Sequence, residues 1–194
     1  DLNTDGTTTV TIDGDMFGPV HVNNTVSASY QNTLLSNLAG SLFDQATCTV
    51  VTGHTRIECT SGAGVGTQHA WRVTVGGQQA SASTQTTSFA VPAITGAVFD
   101  AFSTAGNDVV TLQGSNFGPV HSDNVIAASY QNTGADVAKL GGALYTATGC
   151  TVSSAHTAIE CTTVAGAGID QKWTVTVGGQ NNVPNTSGMT SYDG

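Results

Sequence analysis

Basic side chains are nearly absent from this sequence. Its 194 residues hold four of them, Arg56, Arg72, Lys139 and Lys172, against 13 acidic ones, giving a net charge of −9. Nucleic acids and anionic membrane surfaces are bound first by Lys and Arg neutralising phosphate, so both ligand classes are excluded. Charged residues of either sign make up 9% of the chain, well below the roughly 25% of an ordinary soluble domain. No apolar run approaches the ~18–20 residues of a membrane helix, which predicts no membrane insertion. The opening Asp1-Leu-Asn-Thr-Asp-Gly6 also lacks the basic start and apolar centre of a signal peptide. Catalytic patterns are missing as well. There is no Gly-x-Ser-x-Gly, and nothing places a second carboxylate beside Glu58 or Glu160, each between Ile and Cys on an outward-facing strand position. The chain is expected to be no enzyme and to need no cofactor.

Hydroxyl groups stand in for charge: Ser and Thr together number 47. A neutral, Lys-poor, hydroxyl-rich surface suits an extracellular or secreted protein and can accept sugars.

The chain also repeats itself. Residues 9–33 return as 109–133 with 15 of 25 positions identical, and residues 48–78 return as 150–180 with 19 of 31 identical. Solenoid repeats of roughly 20–50 residues cannot bury a core alone, whereas a unit of about 100 residues can. Two domains are expected, at 1–79 and 92–182, joined by a Ser/Thr-rich linker at 80–91 and followed by a tail at 183–194.

Within each copy, alternation dominates. Val26, Ala28 and Tyr30 share one face of a strand, as do Ile126, Ala128 and Tyr130. Trp71, Val73 and Val75 match Trp173, Val175 and Val177 in the same way. Period-two patterns of β-branched and aromatic residues between Gly-rich turns predict half-buried strands. Residues 34–42 and 135–144 have room for one short helical turn each. The fold class is all-β, an antiparallel β-sandwich in each copy, with Trp71, Trp173, Tyr30, Tyr130, Phe17 and Phe117 in the cores.

Four cysteines fall at matched positions, Cys48 and Cys59, then Cys150 and Cys161. Their spacing is long for a structural zinc site, and an even count duplicated in register points to disulfides and an oxidising compartment. Folding each segment back at its polar turn, around His54 and His156, sets Cys48 opposite Cys59 and Cys150 opposite Cys161. One hairpin disulfide per domain is expected.

Together these residues resemble a known family. Pro92-x-Ile94, residues 110–118 (Val-Thr-Leu-x-Gly-x-Asn-Phe-Gly), Cys150 with Ile159-x-Cys161, Gly166-x-Gly168 and Val175-x-Val177-x-Gly179 are similar to the IPT/TIG domain. The resemblance implies an early-set immunoglobulin-like sandwich with its Phe buried and its glycines in turns. It implies no reaction. Extracellular members of that family space, adhere or bind partners, and its DNA-binding members use basic loops that this chain lacks. The first copy departs at Met16, where the second has Asn116.

A larger departure lies at the start. The second copy opens with a first strand near Pro92–Phe99, and the first copy has no equivalent. Either the sequence is a portion of a longer array or a neighbour supplies the strand. The tail 183–194 is the candidate donor, which would link copies of the chain head-to-tail.

Asn23 and Asn185 begin Asn-x-Ser/Thr triplets and are candidate N-glycosylation sites, while Ser81, Ser83, Thr84, Thr86, Thr87 and Ser88 are candidates for O-linked sugars or simply linker residues. Asp1, Asn3 and Asp5 resemble the opening of a calcium loop. Ile12 stands where the bidentate Glu should be, however, and the second copy lacks the pattern, so the segment is read as a polar turn with no metal. Asp13 and Asp15 are not repeated either. His21 and His121, and His54 and His156, are duplicated and read as turn residues that serve the fold, while His69 stands alone. The expected function is a non-enzymatic, glycosylated, extracellular structural protein in a surface array or fibril, with its partners being copies of itself. The alternative is an adhesin or receptor ectodomain binding a protein or carbohydrate.

Overall fold

The computed structural model describes residues 1–33, 42–99, 102–121, 124–132, 143–182 and 190–193, with the backbone alone for residues 42–45. The two places where a short helical turn is expected fall almost wholly outside them. The chain divides into two units, Asp1–Ala90 and Val91–Gly194. Among the described residues every strand pairing is antiparallel apart from two isolated bridges, and there is no helix.

The first unit carries β1 (Thr9–Asp13), β2 (Val26–Asn32), β3 (Leu42–Thr52), β4 (Arg56–Thr60), β5 (His69–Val75), β6 (Gln78–Gln79) and β7 (Thr86–Thr87). They are ordered β1-β4-β3-β2-β5-β6, with β7 also on β5. β3 is long enough to serve both layers. Its first half pairs with β2 (Ala46 opposite Ala28) and its second half with β4 (Cys48 opposite Cys59). Alternation then sorts the side chains: along β4, Ile57 and Cys59 are buried, while Arg56, Glu58 and Thr60 face solvent. Tyr30 stacks on Trp71 at the centre, 4.3 Å between ring centroids.

The second unit repeats the plan with β8 (Ala93–Phe99), β9 (Val109–Ser115), β10 (Ile126–Asn132), β11 (Leu144–Thr146), β12 (Thr148–Ser154), β13 (Ala158–Thr162), β14 (Gln171–Val177) and β15 (Gln180–Asn181). Here the sheets separate into β11-β10-β14-β15 and β12-β13-β9-β8. The strand that runs unbroken as β3 is split, because Gly149 (φ 61°), at the place of Thr47, turns left-handed and slips the register. In both units a Gly-Gly pair with positive φ, Gly76-Gly77 and Gly178-Gly179, closes the following hairpin, the conformation a two-residue type I′ turn requires. All six aromatics expected in the cores are buried.

The unit boundaries differ from the expected ones. Residues 80–90 are no free linker: the Ser83 amide donates to the Trp71 carbonyl at 2.8 Å, Thr86 and Thr87 pair with β5, and Phe89 is fully buried. Phe89 also forms a parallel bridge with Leu2, fastened by the Leu2 amide on the Ser88 carbonyl at 2.7 Å. In the second unit Thr190 pairs with Gln171 and Tyr192 with Phe102, so this part of the tail closes its own sandwich. Residues 183–189 lie outside the described set. Thr and aromatic residues are good strand formers, and burying one aromatic ring contributes about 1.5–3 kcal/mol. A hydroxyl-rich segment ending in Phe or Tyr therefore gains more as an edge strand than as a linker.

Candidate functional site

Each sandwich is stapled where the hairpin reading put it. Cys48 bonds Cys59 and Cys150 bonds Cys161, with Cα–Cα distances of 4.0 and 4.1 Å, and there is no free cysteine. The disulfides sit in the sheet that bears β1 or β9 and fix the floor beneath it.

Most of the singled-out polar residues are absorbed by the fold. Asn3, Asp5 and Thr7 form one turn: the Thr7 amide and hydroxyl both donate to the Asp5 carboxylate, at 3.1 and 2.7 Å, and the Asn3 amide donates to the Thr8 hydroxyl at 2.8 Å. No cluster of three or more metal-ligating side chains occurs among the described residues. His54 and His156 take left-handed conformations, and their backbone amides donate to the Gly18 and Gly118 carbonyls at 2.7 Å in both copies. This locks the duplicated Phe-Gly-Pro-Val-His loops while leaving Val20 and Val120 61% and 60% exposed. His21 accepts the Asn23 amide at 3.1 Å through Nδ1. Glu58 and Glu160 are exposed on opposite units, with no carboxylate paired to either across the ladder.

The sugar candidates divide. Asn23 is exposed, and Asn185 lies outside the described residues. The Ser83 hydroxyl accepts the Trp71 amide at 2.9 Å, that of Thr87 accepts the Trp71 indole N–H at 2.9 Å, and that of Ser88 accepts the Gln68 amide at 3.3 Å. A glycan on any of these three would cost a bond of the fold, whereas Ser81, Thr84 and Thr86 are exposed.

His69 is the one histidine in a core. Its ring lies edge-on to Tyr30 and Phe89, and Nδ1 faces the Thr87 carbonyl at 3.3 Å. Burial pushes its pKa below the ordinary value, outweighing that hydrogen bond. The unfolded chain therefore takes up a proton that the folded unit refuses. Stability is complete above the ordinary His pKa of about 6.5 and falls as pH drops through it, until the folded ring protonates too. Melting the chain between pH 8 and 5 should show the first unit losing stability. His69→Gln, matching Gln171, should remove that part of the slope; an unchanged slope would refute the assignment. The neighbouring Tyr30 hydroxyl, buried and shared with both the amide and the carbonyl of Gly62, is pushed up to about 12 and stays protonated throughout.

A groove of about 560 Å³ in the first unit is left unassigned. It is lined by residues 10–13 of β1, by Trp71 and by residues 83–87. Among the described residues no strand lies on the outer side of β1, whereas in the second unit β8 lies along β9. Nothing in the order of residues marks the groove directly. Asp13, at one end, is held in a two-pronged ion pair by Arg56 at 2.6 and 3.1 Å, and this bond keeps its carboxyl below the usual carboxylate range.

Comparison with known proteins adds three findings. The family model described as IPT/TIG domain matches residues 92–192. Two structures of the plexin A4 extracellular region align over 98% of this chain at 19% identity, with TM-scores of 0.40 and 0.38. The chain spans 17% and 14% of the lengths of those two structures. No curated protein matches it.

Proposed function

The chain belongs to the IPT/TIG domain family, and from that premise we propose that it is a non-enzymatic extracellular module that binds a protein partner, as adhesins and receptor ectodomains do. One observation carries the reading: both sandwiches are closed by disulfides, and Asp5, Asp13 and His69 are taken up in a turn, an ion pair and core packing respectively. Disulfides of this kind persist in oxidising compartments. The exposed loops of such a scaffold are where recognition is carried out. The test is binding of the secreted, oxidised full chain to intact cells or to a panel of extracellular proteins. Saturable binding, abolished when the target surface is proteolysed, supports the module; turnover of any substrate by the purified chain refutes it.

A second reading is a head-to-tail array of copies coated with glycans, which the duplicated, disulfide-closed sandwiches and the Ser/Thr-rich composition suit. Sedimentation of the chain across a concentration series separates the two: growing oligomers support the array, and a persistent monomer supports the module.

A further inference from the structure

We propose that a small pocket on the outer face of β2 and β5 receives an Asp or Glu side chain of a partner protein, with Arg72 as its anchor. The pocket measures about 220 Å³ and is lined by Gln31, Asn32, Thr33, Ala70, Arg72 and Ala82. Strand register explains why these residues meet. Ala28 opposite Val73 and Tyr30 opposite Trp71 are buried in the core, so Ser27 opposite Thr74, Ser29 opposite Arg72 and Gln31 opposite Ala70 form the outward face. Ala70 ends at its Cβ and leaves a hollow beside the longer Gln31 and Arg72. Backbone bonds hold the walls on two sides. The Thr33 amide and hydroxyl both donate to the Gln68 carbonyl, at 3.1 and 3.2 Å. Next to Ala82, the Ser83 amide donates to the Trp71 carbonyl and the Ser83 hydroxyl accepts the Trp71 amide, at 2.8 and 2.9 Å. The walls are therefore set before a ligand arrives, which lowers the ordering cost of binding.

Charge selects the occupant. With 13 acidic residues against four basic ones, an uncompensated cation is unexpected, and Arg56 is indeed paired with Asp13. Among the described residues Arg72 meets no carboxylate. None of the outward residues that β2 and β5 pair across the ladder is acidic. The second unit follows the same rule, with Ala127, Ser129 and Gln131 opposite Thr176, Thr174 and Lys172. Glu58 and Glu160 stand instead on β4 and β13, away from these strands. The faces are thus segregated by sign, and each unit sets one cation near its copy of the duplicated Gln.

Size and lining narrow the ligand further. Pockets that enclose whole small molecules run to roughly 300–1,000 Å³, so this one suits a single side chain. It holds no aromatic ring for a sugar face to stack on. A guanidinium is a planar fork of donors that matches both oxygens of a carboxylate, and the Gln31 amide adds donors beside it. The second unit supplies the contrast. An offset of 102 puts Lys172 at the place of Ala70 and Thr174 at the place of Arg72. There the cation stands where the hollow would be, and it is a point charge rather than a fork. Selective recognition is therefore assigned to the first unit.

The proposal rests on the binding reading only for the source of the carboxylate, so the test uses a defined probe. A pentapeptide with blocked ends and one central Glu is titrated into the full chain at physiological salt. NMR follows the Arg72 Nε–H and the backbone amides of Gln31 and Ala70. Saturable shifts are expected, with none from the same peptide carrying Gln. Arg72→Gln should weaken binding about tenfold or more, and Arg72→Lys should restore only part of it. Ala70→Val fills the hollow without changing charge, at a position where the second unit accepts Lys172, and should weaken binding several-fold. Lys172→Ala should leave the affinity unchanged. Absence of saturable shifts overturns the proposal, and so does an equal loss in Lys172→Ala, which would mean diffuse attraction. Glucuronate moving these signals where the peptide does not would overturn the choice of a protein side chain. Signals that move with the concentration of the chain alone, and stop moving in Glu58→Gln, would make the ligand a second copy and overturn the choice of a partner protein. If the peptide docks but no cell surface or extracellular protein is bound, the pocket stands and the binding reading falls.

Discussion

Phe89→Ala is expected to destabilise the first unit by about 3–5 kcal/mol, the range for removing a fully buried aromatic side chain. Domains of this size have net stabilities of about 5–15 kcal/mol, so the variant should be partly unfolded at physiological temperature. The ring is fully buried, with its centroid 6.4 Å from that of Tyr30 and 5.3 Å from that of His69. Its backbone is also bonded, the Phe89 amide donating to the Gly66 carbonyl at 2.9 Å. Denaturant unfolding followed by Trp71 fluorescence, with Trp173→Phe to silence the second unit, measures the effect. Were residues 80–91 a linker, Phe89→Ala would behave like Ser81→Ala or Thr84→Ala, within about 0.5 kcal/mol of the parent.

The second large effect concerns the staples. Replacing Cys48 and Cys59 together by Ala should cost the first unit about 2–5 kcal/mol, and replacing Cys150 and Cys161 should cost the second unit a similar amount. Each bridge closes a loop with a sequence separation of 11, and each pair is largely buried between the sheets. The effects should be local. Calorimetry should show one transition falling while the other stays, and adding reductant to the parent chain should lower both. Two transitions insensitive to reductant would mean that the bridges contribute nothing to holding the sandwiches closed, contrary to their position.

What the sequence reveals about this fold depends on how strongly each element contrasts with its surroundings. The Cys hairpins, the Val/Tyr and Trp/Val alternations and the Gly-Gly turns were legible because period, spacing and duplication coincide at the same residues. The edge segments ending in Phe89 and Tyr192 were not, because they are short and built from the hydroxyl residues that also compose linkers. Their signal was present in the repeat. Thr87-Ser88-Phe89 matches Thr190-Ser191-Tyr192 at an offset of 103, one beyond the 102 of the preceding segment. In both, the Thr hydroxyl accepts the indole N–H of the core Trp, at 2.9 and 3.0 Å. A one-residue slip in a loop leaves the contact intact and hides it from a fixed-offset comparison.

The groove was half legible. The absent first strand was plain in the comparison of copies, but its consequences required coordinates. The change from Asn116 to Met16 looks like a turn substitution in sequence. In space, Asn116 holds the incoming β8 backbone, while Met16, at nearly the same φ (64° against 62°), is 87% exposed.

The account of the fold turns on the two strand orders, in which β9 lies between β13 and β8 while, among the described residues, β1 is bonded to β4 alone. Residue-resolved amide exchange on the full chain, with no ligand added, measures that difference directly. The amides of Thr111 and Gln113, covered by β8, should exchange slowly, and those of Thr11 and Asp13 should exchange close to the rate of exposed loops, while Val10 and Ile12 remain protected by β4. Equal protection at Thr11 and Thr111 would mean that the two edges are covered alike, which would contradict the strand orders.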